Sequence, residues 1–179
     1  MQLRPIVTRT DRERFESFVD RHGPIPAHAP ELGPCHLWTG LLSSVRNDDE
    51  VGYARFSLDG KLQQAHRVLW EWENGPIPEK VQLDHRCFTH NCVNLEHLRP
   101  TTNKQNHEHM TGPRRDNAHS KYRGVSWDGV TQKWKVRVQH DGRSYWGGRF
   151  TDEDEAGEQA RVIRNRLYTH NDLDRQQAA

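Results

Sequence analysis

Gln82-Leu-Asp-His-Arg-Cys-Phe-Thr-His-Asn-Cys-Val-Asn-Leu-Glu-His-Leu98 decides how this chain is read. The spacing Cys87-x4-Cys92-x4-His97 gathers three metal-ligating side chains into one loop. Cys35 upstream completes a three-Cys, one-His set, the composition of a closed tetrahedral zinc site. The equal spacers favour His97 as the fourth ligand over His36 and His90. Cys35 then ties the early chain to the core, a staple that a small unit needs when apolar residues are scarce. Asp84–His85 stands two residues before the paired cysteines, where a structural zinc site requires nothing. A neutral imidazole there suits a general base that takes a proton from an attacking water. Asn106, with Asp84, offers the oxygen ligands that magnesium takes. Asn103 and His107 lie within one helical turn of Asn106 and are its rivals.

Apolar residues make up 32% of the 179 positions and charged residues 28%, a thin supply for one large core. Three cysteines cannot all pair within the chain, and no signal-peptide core precedes them, so a reducing, cytoplasmic setting is expected. No apolar run approaches the length of a membrane span, and no membrane partner is expected. The formal net charge of +1 conceals a gradient. Residues 111–150 carry 9 Lys and Arg against 3 Asp and Glu, whereas residues 151–179 carry 4 against 7. The basic segment suggests a face made for a polyanion.

Asp11 to His22 reads as an amphipathic helix with Phe15, Phe18 and Val19 on one side. Residues 23–34, rich in proline and glycine, read as loop. Two extended segments, 52–58 and 62–67, flank the hairpin signal Asp59–Gly60. Arg67 to Asn74 reads as a helix closed by Gly75 and Pro76, and Val81 to His85 as a strand. Thr101 to His109 is helix-compatible, with Thr102 or Asn103 as its N-cap. Beyond a breaker-rich linker, residues 122–127, 133–139 and 143–150 read as three strands. A helix from Thr151 follows, with Ala156, Ala160, Ile163 and Leu167 as its inner stripe. Alternation marks Trp134 as a core residue, because it lies opposite Lys133, Lys135 and Arg137. The ending is expected to fray.

Asp84–His85, then Asn94, then Asn106 in a following helix, resembles the HNH (His-Me finger, ββα-metal) nuclease motif. The Cys35, Cys87, Cys92, His97 set resembles the His-Cys box homing endonucleases and the zinc-bearing HNH proteins of phages. Ala65-His-Arg-Val-Leu-Trp70, Gly75-Pro-Ile-Pro78 and Cys92-Val-Asn-Leu-Glu-His-Leu98 are similar to the same phage subgroup. The resemblance covers residues 33–110. It implies that His85 activates water and that Mg2+, with Mn2+ as a substitute, is held by Asn106 at the scissile phosphate and its 3′-oxygen. It further implies Asp84 as a second metal ligand, Asn94 as a brace for the loop carrying the base, and Arg67 or Arg55 as the phosphate holder.

Tyr122-Arg-Gly-Val-Ser-Trp127, the strand from Lys133, Tyr145-Trp-Gly-Gly-Arg-Phe150 and the helix after Thr151 resemble the Apetala or ethylene-response-factor type DNA-binding domain. That resemblance implies DNA contacts from Arg123, Trp127, Arg137, Gln139 and Trp146, and the basic strands add Lys135, Arg143 and Arg149. Ser126 and Ser144 depart from the plant pattern, so the mode of binding carries over and the target sequence does not.

The fold expected is therefore α+β: a zinc-stabilised ββα-metal nuclease core plus a small three-stranded antiparallel sheet with one packed helix. Its parts are an N-terminal helix and loop (1–32), the nuclease (33–110), a linker (111–119), the DNA-binding domain (120–172) and a tail (173–179). The function expected is a site-directed, homing or phage HNH endonuclease that hydrolyses double-stranded DNA with structural zinc and catalytic magnesium, encoded by a phage or a bacterial host. Homodimerisation is left open. The rival is a non-catalytic, zinc-stabilised DNA-binding regulator.

Overall fold

Residues 10–44, 51–110, 112 and 119–176 are described by the computed structural model. The chain divides into two units between Thr101 and Thr102. Most of the expected linker, residues 1–9 of the expected N-terminal segment and residues 177–179 of the expected tail lie outside the described residues.

In the first unit, helix α1 (Asp11–Glu16) starts in a capping box. The Thr10 hydroxyl accepts from the Glu13 amide, and the Glu13 carboxylate accepts from the Thr10 amide. The helix is shorter than its apolar pattern suggested. Phe18 and Val19 leave it because the chain pairs instead with a second strand: β1 (Val19–Asp20) runs antiparallel to β2 (Leu37–Trp38), and the Thr39 amide donates to the Phe18 carbonyl at 2.8 Å. Phe15 is wholly buried, with ring centroids 4.8 Å from Trp38, 5.2 Å from Phe56 and 5.4 Å from Trp72. Helix α1, expected in an N-terminal segment of residues 1–32, thus contributes Phe15 to the core of the first unit.

Strands β3 (Arg55–Leu58) and β4 (Lys61–Gln64) form the hairpin expected from Asp59–Gly60, and both turn residues have positive φ, 51° and 72°. Helix α2 (Ala65–Asn74) follows at once, burying Ala65, His66, Val68 and Leu69. Gly75, at φ 82°, ends it in a conformation that side chains disfavour. Strands β5 (Gln82–His85) and β6 (Leu98–Thr101) pair antiparallel, with Asp84 opposite Arg99 and His85 opposite Leu98. The cysteine loop connects them.

The second unit opens with helix α3 (Asn103–Glu108), capped by Thr102 in a second capping box with Gln105. Strands β7 (Val125–Asp128), β8 (Lys133–His140) and β9 (Arg143–Phe150) form one antiparallel sheet in that order. Helix α4 (Glu153–Leu167) packs on one face of it, around Val125, Val136, Ala156 and Ala160, with Tyr122, Trp134, Phe150 and Ile163 at the margin. Gly147 permits this contact, because a β carbon there would lie 2.5 Å from Val136 and 2.7 Å from Ile163. Residues 172–176, most of them expected to lie in the tail, form helix α5 (Asp172–Gln176). Asp174 of α5 holds the buried Arg164 guanidinium at 2.6 and 2.9 Å.

The molecule is thus mixed α and β, built from three two-stranded sheets and one three-stranded sheet among the described residues. No helix among them is long and apolar enough to cross a membrane. Because Phe15 fills the first core, Phe15→Ala is expected to lower stability by about 3–5 kcal/mol in denaturant unfolding. A change under about 0.5 kcal/mol, the size of a surface effect, would remove α1 from the core.

Candidate active site and metal centre

Cys35, Cys87, Cys92 and His97 are all buried, and their ligating atoms lie within 4.8 Å of one another. The His97 Nδ1 is 3.5 Å from the sulfurs of both Cys35 and Cys92. That matches the separation of about 3.6 Å that nitrogen and sulfur ligands take around one tetrahedral zinc. His97 Nε2 lies 3.0 Å from the Leu32 carbonyl, which only accepts, so Nε2 carries the proton and Nδ1 presents its lone pair to the sulfurs. None of the cysteines forms a disulfide. Burial raises the Cys35 thiol, while the hydrogen bond between Cys92 and Cys87 lowers Cys87 to about 4 and raises Cys92. Burial and the charge of Cys87 thus oppose ionisation of Cys35 and Cys92 alongside it. A divalent ion would let all three ionise, so the donor set is compatible with structural zinc. Neither rival of His97 belongs to this group of ligating atoms, and His90 stacks on Tyr53 at 4.6 Å instead.

His85 ends β5, buried. Its Nε2 is 3.0 Å from the Cys92 carbonyl, which makes Nε2 the protonated nitrogen and Nδ1 the acceptor. Burial, the largest effect on its pKa, lowers it and favours the neutral ring. His66, the second residue of α2, meets the His85 ring edge-on at 4.6 Å, and Tyr53 lies 6.0 Å from it. His66 and Tyr53 carried no role in the sequence reading. The only signal was the Ala65-His-Arg run, and the polarity of His66 concealed its burial on α2.

Neighbouring residues of a strand face opposite ways, and Asp84 differs from His85 accordingly. Its carboxylate accepts from Arg99 Nε at 2.9 Å, directly across the β5–β6 pair. Expected as a magnesium ligand, Asp84 would have to divide its charge between that guanidinium and a cation. Asn94 caps the turn at Leu95–His97 through its Oδ1 and donates from Nδ2 to the Pro34 carbonyl at 3.0 Å, joining the cysteine loop to the segment before Cys35. Arg55 spends a donor on the Leu62 carbonyl within its own hairpin. Arg67, beside His66, has no hydrogen bond or ion pair among the described residues.

In the second unit, Asn106 lies half-buried on α3; its backbone amide donates to the Thr102 carbonyl at 3.0 Å, and its side-chain amide makes no hydrogen bond among the described residues. An oxygen donor left open in this way fits a hard cation. Its rival His107 turns its ring back to the Asn103 carbonyl at 2.7 Å. Asn103 is exposed at the first helical position.

Strand register divides the expected DNA contacts. Lys135 opposes Arg149, Arg137 opposes Trp146 and Gln139 opposes Ser144, so Lys135, Arg137, Gln139, Trp146 and Arg149 share the face turned away from α4. Trp146 is half exposed there, with the Arg149 guanidinium 5.0 Å above its ring. Trp127, expected at DNA, pairs with Trp134 on the α4 side, edge-on at 4.9 Å, and stays 38% exposed. Arg143 likewise pairs with His140, on the opposite parity from Arg137. The Arg123 guanidinium, also expected at DNA, donates to the main-chain carbonyls of His107, Glu108 and Met110.

An HNH endonuclease family model matches residues 63–108. Protein 7.7 of Escherichia phage T7 is 37% identical over 76 residues, covering 42% of this chain and 54% of that protein. The uncharacterized gene 5.3 protein of Enterobacteria phage T3 is 40% identical over 63 residues, covering 32% of this chain and 60% of that protein. Protein 3.8 of Escherichia phage T7 is 31% identical over 87 residues, covering 48% of this chain and 69% of that protein. The chain therefore spans little more than half the length of the first two relatives. No solved structure matches it.

Metal analysis of the purified protein is expected to find one tightly held zinc per chain, lost in Cys92→Ser. Its removal by a chelator is expected to unfold the first unit, because binding and folding are one equilibrium in such sites. Zinc retained by Cys92→Ser would contradict this ligand set.

Proposed function

Because this chain belongs to the family of Protein 3.8 of Escherichia phage T7, and residues 63–108 match an HNH endonuclease, we propose that it is a metal-dependent DNA endonuclease that hydrolyses phosphodiester bonds. The observation that carries the reading is the tautomer of His85. With Nε2–H committed to the Cys92 carbonyl, Nδ1 keeps its lone pair and accepts a proton from water. Asn94 braces the loop that supplies this carbonyl. Arg67, uncommitted on α2 next to His66, holds the scissile phosphate, a role that suits a planar guanidinium better than an ammonium. Arg55 serves its hairpin instead.

Asn106 holds magnesium, with manganese as a substitute. When bound, the cation supplies charge neutralisation at the phosphate and the departing 3′-oxygen. The zinc is structural.

The second unit supplies affinity for double-stranded DNA through Lys135, Arg137, Gln139, Trp146 and Arg149, in the manner of an Apetala or ethylene-response-factor type domain. Guanidinium groups bind phosphates or guanine edges, while an exposed Trp packs on sugar and base. Such a tether raises the local concentration of a weakly charged nuclease at its site. This arrangement suits a site-directed homing or phage enzyme acting in the cytoplasm of a bacterial host.

Supercoiled plasmid and phage DNA are expected to be cut with Mg2+ and left intact with EDTA or by His85→Ala. The His85→Ala protein is expected to keep its DNA affinity and zinc. Tight DNA binding with no cutting of any substrate would make the protein a regulator instead. Arg137→Ala is expected to weaken DNA binding by about 1–3 kcal/mol, and Arg143→Ala by less. Equal effects of the two would refute the division of the sheet into a DNA face and a helix face.

A further inference from the structure

Helix α3 has the sequence Asn-Lys-Gln-Asn-His-Glu, six residues without one apolar side chain. So short a helix is unstable alone, and it has no hydrophobic face by which packing might hold it. Its first turn is satisfied by the Thr102–Gln105 capping box. Its last carbonyls need donors from elsewhere.

Arg123 supplies them. Its Nη2 donates to the His107 carbonyl at 2.7 Å, and its Nη1 donates to the carbonyls of Glu108 at 2.9 Å and Met110 at 3.3 Å. A cation at this end also complements the helix dipole. The guanidinium is itself held over the Tyr168 ring at 5.2 Å, and its backbone carbonyl accepts from the buried Arg164. Glu108 fastens the same end from its side chain. Its Oε2 accepts from the Thr169 amide at 2.9 Å, the Thr169 hydroxyl at 3.2 Å and the His170 amide at 3.4 Å. Oε1 lies 3.4 Å from His140 Nδ1 and 3.6 Å from Lys104, whose ammonium also reaches Asp141 at 2.7 Å. A buried carboxylate and a multiply donating guanidinium thus take the place of hydrophobic packing, and Arg123, Thr169, His170 and His140, which hold this helix end, belong to the second unit.

We propose that Arg123 and Glu108 are positioning residues for Asn106, so that the second unit sets the affinity for the catalytic cation as well as binding DNA. The proposal rests on the reading of Asn106 as the magnesium ligand. It also gives Arg123 a different task from the DNA contact that its resemblance implied, and the two tasks separate experimentally.

The full-length protein and its Arg123→Ala, Glu108→Ala, Glu108→Gln and Asn106→Ala variants are compared. The readouts are single-turnover cleavage against Mg2+ concentration and DNA affinity at several salt concentrations. Loss of a group that orients a metal ligand typically costs roughly 10- to 100-fold in metal affinity or activity. Arg123→Ala and Glu108→Ala are expected to raise the half-maximal Mg2+ concentration by that factor, with DNA affinity and its salt dependence unchanged. Glu108→Gln keeps an acceptor for the Thr169 amide and is expected to stay near the native value.

A weaker, less salt-dependent DNA complex with an unchanged Mg2+ requirement would make Arg123 a phosphate contact and overturn the proposal. A native Mg2+ requirement in both alanine variants would overturn it too. Should Arg123→Ala unfold, the Glu108 pair decides alone, and equal behaviour of Gln and Ala counts against positioning. Cleavage by Asn106→Ala with the native Mg2+ dependence, or no cleavage by the native protein, would remove the reading of the site and the proposal with it.

Discussion

Three buried thiols and an imidazole within 4.8 Å of one another are the constraint from which the first unit takes its shape. Their sulfurs cannot all ionise in that space unless a cation neutralises them, so the protein side of the cluster is unfavourable by itself and favourable with a metal. Cys92 carries the constraint outward. Its sulfur joins the cluster, while its carbonyl accepts from His85 Nε2 and its backbone bridges to Leu37. The residue whose sulfur joins the cluster is thus the residue that sets the tautomer of the proposed base. Orientation of His85 depends on the same loop that a zinc ion would hold rigid, and an aromatic core around Phe15 supports the surrounding segments.

Much of this was legible because metal ligands and turns are specified by residue type and spacing. The ligand set, the Asp59–Gly60 hairpin, the Thr102 cap and the inward-facing Trp134 all follow from local chemistry. What was hidden depends on pairing. The end of α1 is decided by a strand partner more than fifteen residues away in sequence. Trp127 and Arg143 look like Arg137 in composition, yet a one-residue difference in register sends a side chain to the other face of a sheet. The irregular pairing at Val136/Arg137 is what brings Trp146 opposite Arg137. No local pattern announces a bulge, although Gly147–Gly148 is the composition that tolerates one. The bonds of Arg123 to the end of α3 were hidden for another reason: a guanidinium serves a phosphate and a helix end equally well, and residue type and spacing do not separate the two.

That register also separates the charges. On the sheet face away from α4, Lys135, Arg137 and Arg149 lie around the exposed Trp146, while the acidic first turn of α4 sits on a different element. Asp128 neutralises part of this face by pairing with Arg149 at 3.1 Å, and this pair draws the Asp128 carboxyl below its ordinary range. On β8, Lys133, Lys135 and Arg137 remain as the cations of this face not engaged in ion pairs among the described residues. A polyanion would therefore meet its strongest field along β8, which gives Arg137 more weight than the composition of the basic segment assigns to it.

The polar helix α3 is where the two kinds of order meet. Apolar packing is cooperative and non-directional, so it fixes a helix within a core but tolerates small shifts along it. Hydrogen bonds from a planar guanidinium to successive carbonyls fix the position of a helix end along its axis and its rotation about it. Asn106 lies one residue before the first of those carbonyls, that of His107. A ligand for a cation that demands near-ideal octahedral geometry needs placement of this directional kind. The absence of apolar residues from α3 is then consistent with the task proposed for Asn106, because the helix is held by bonds that specify position.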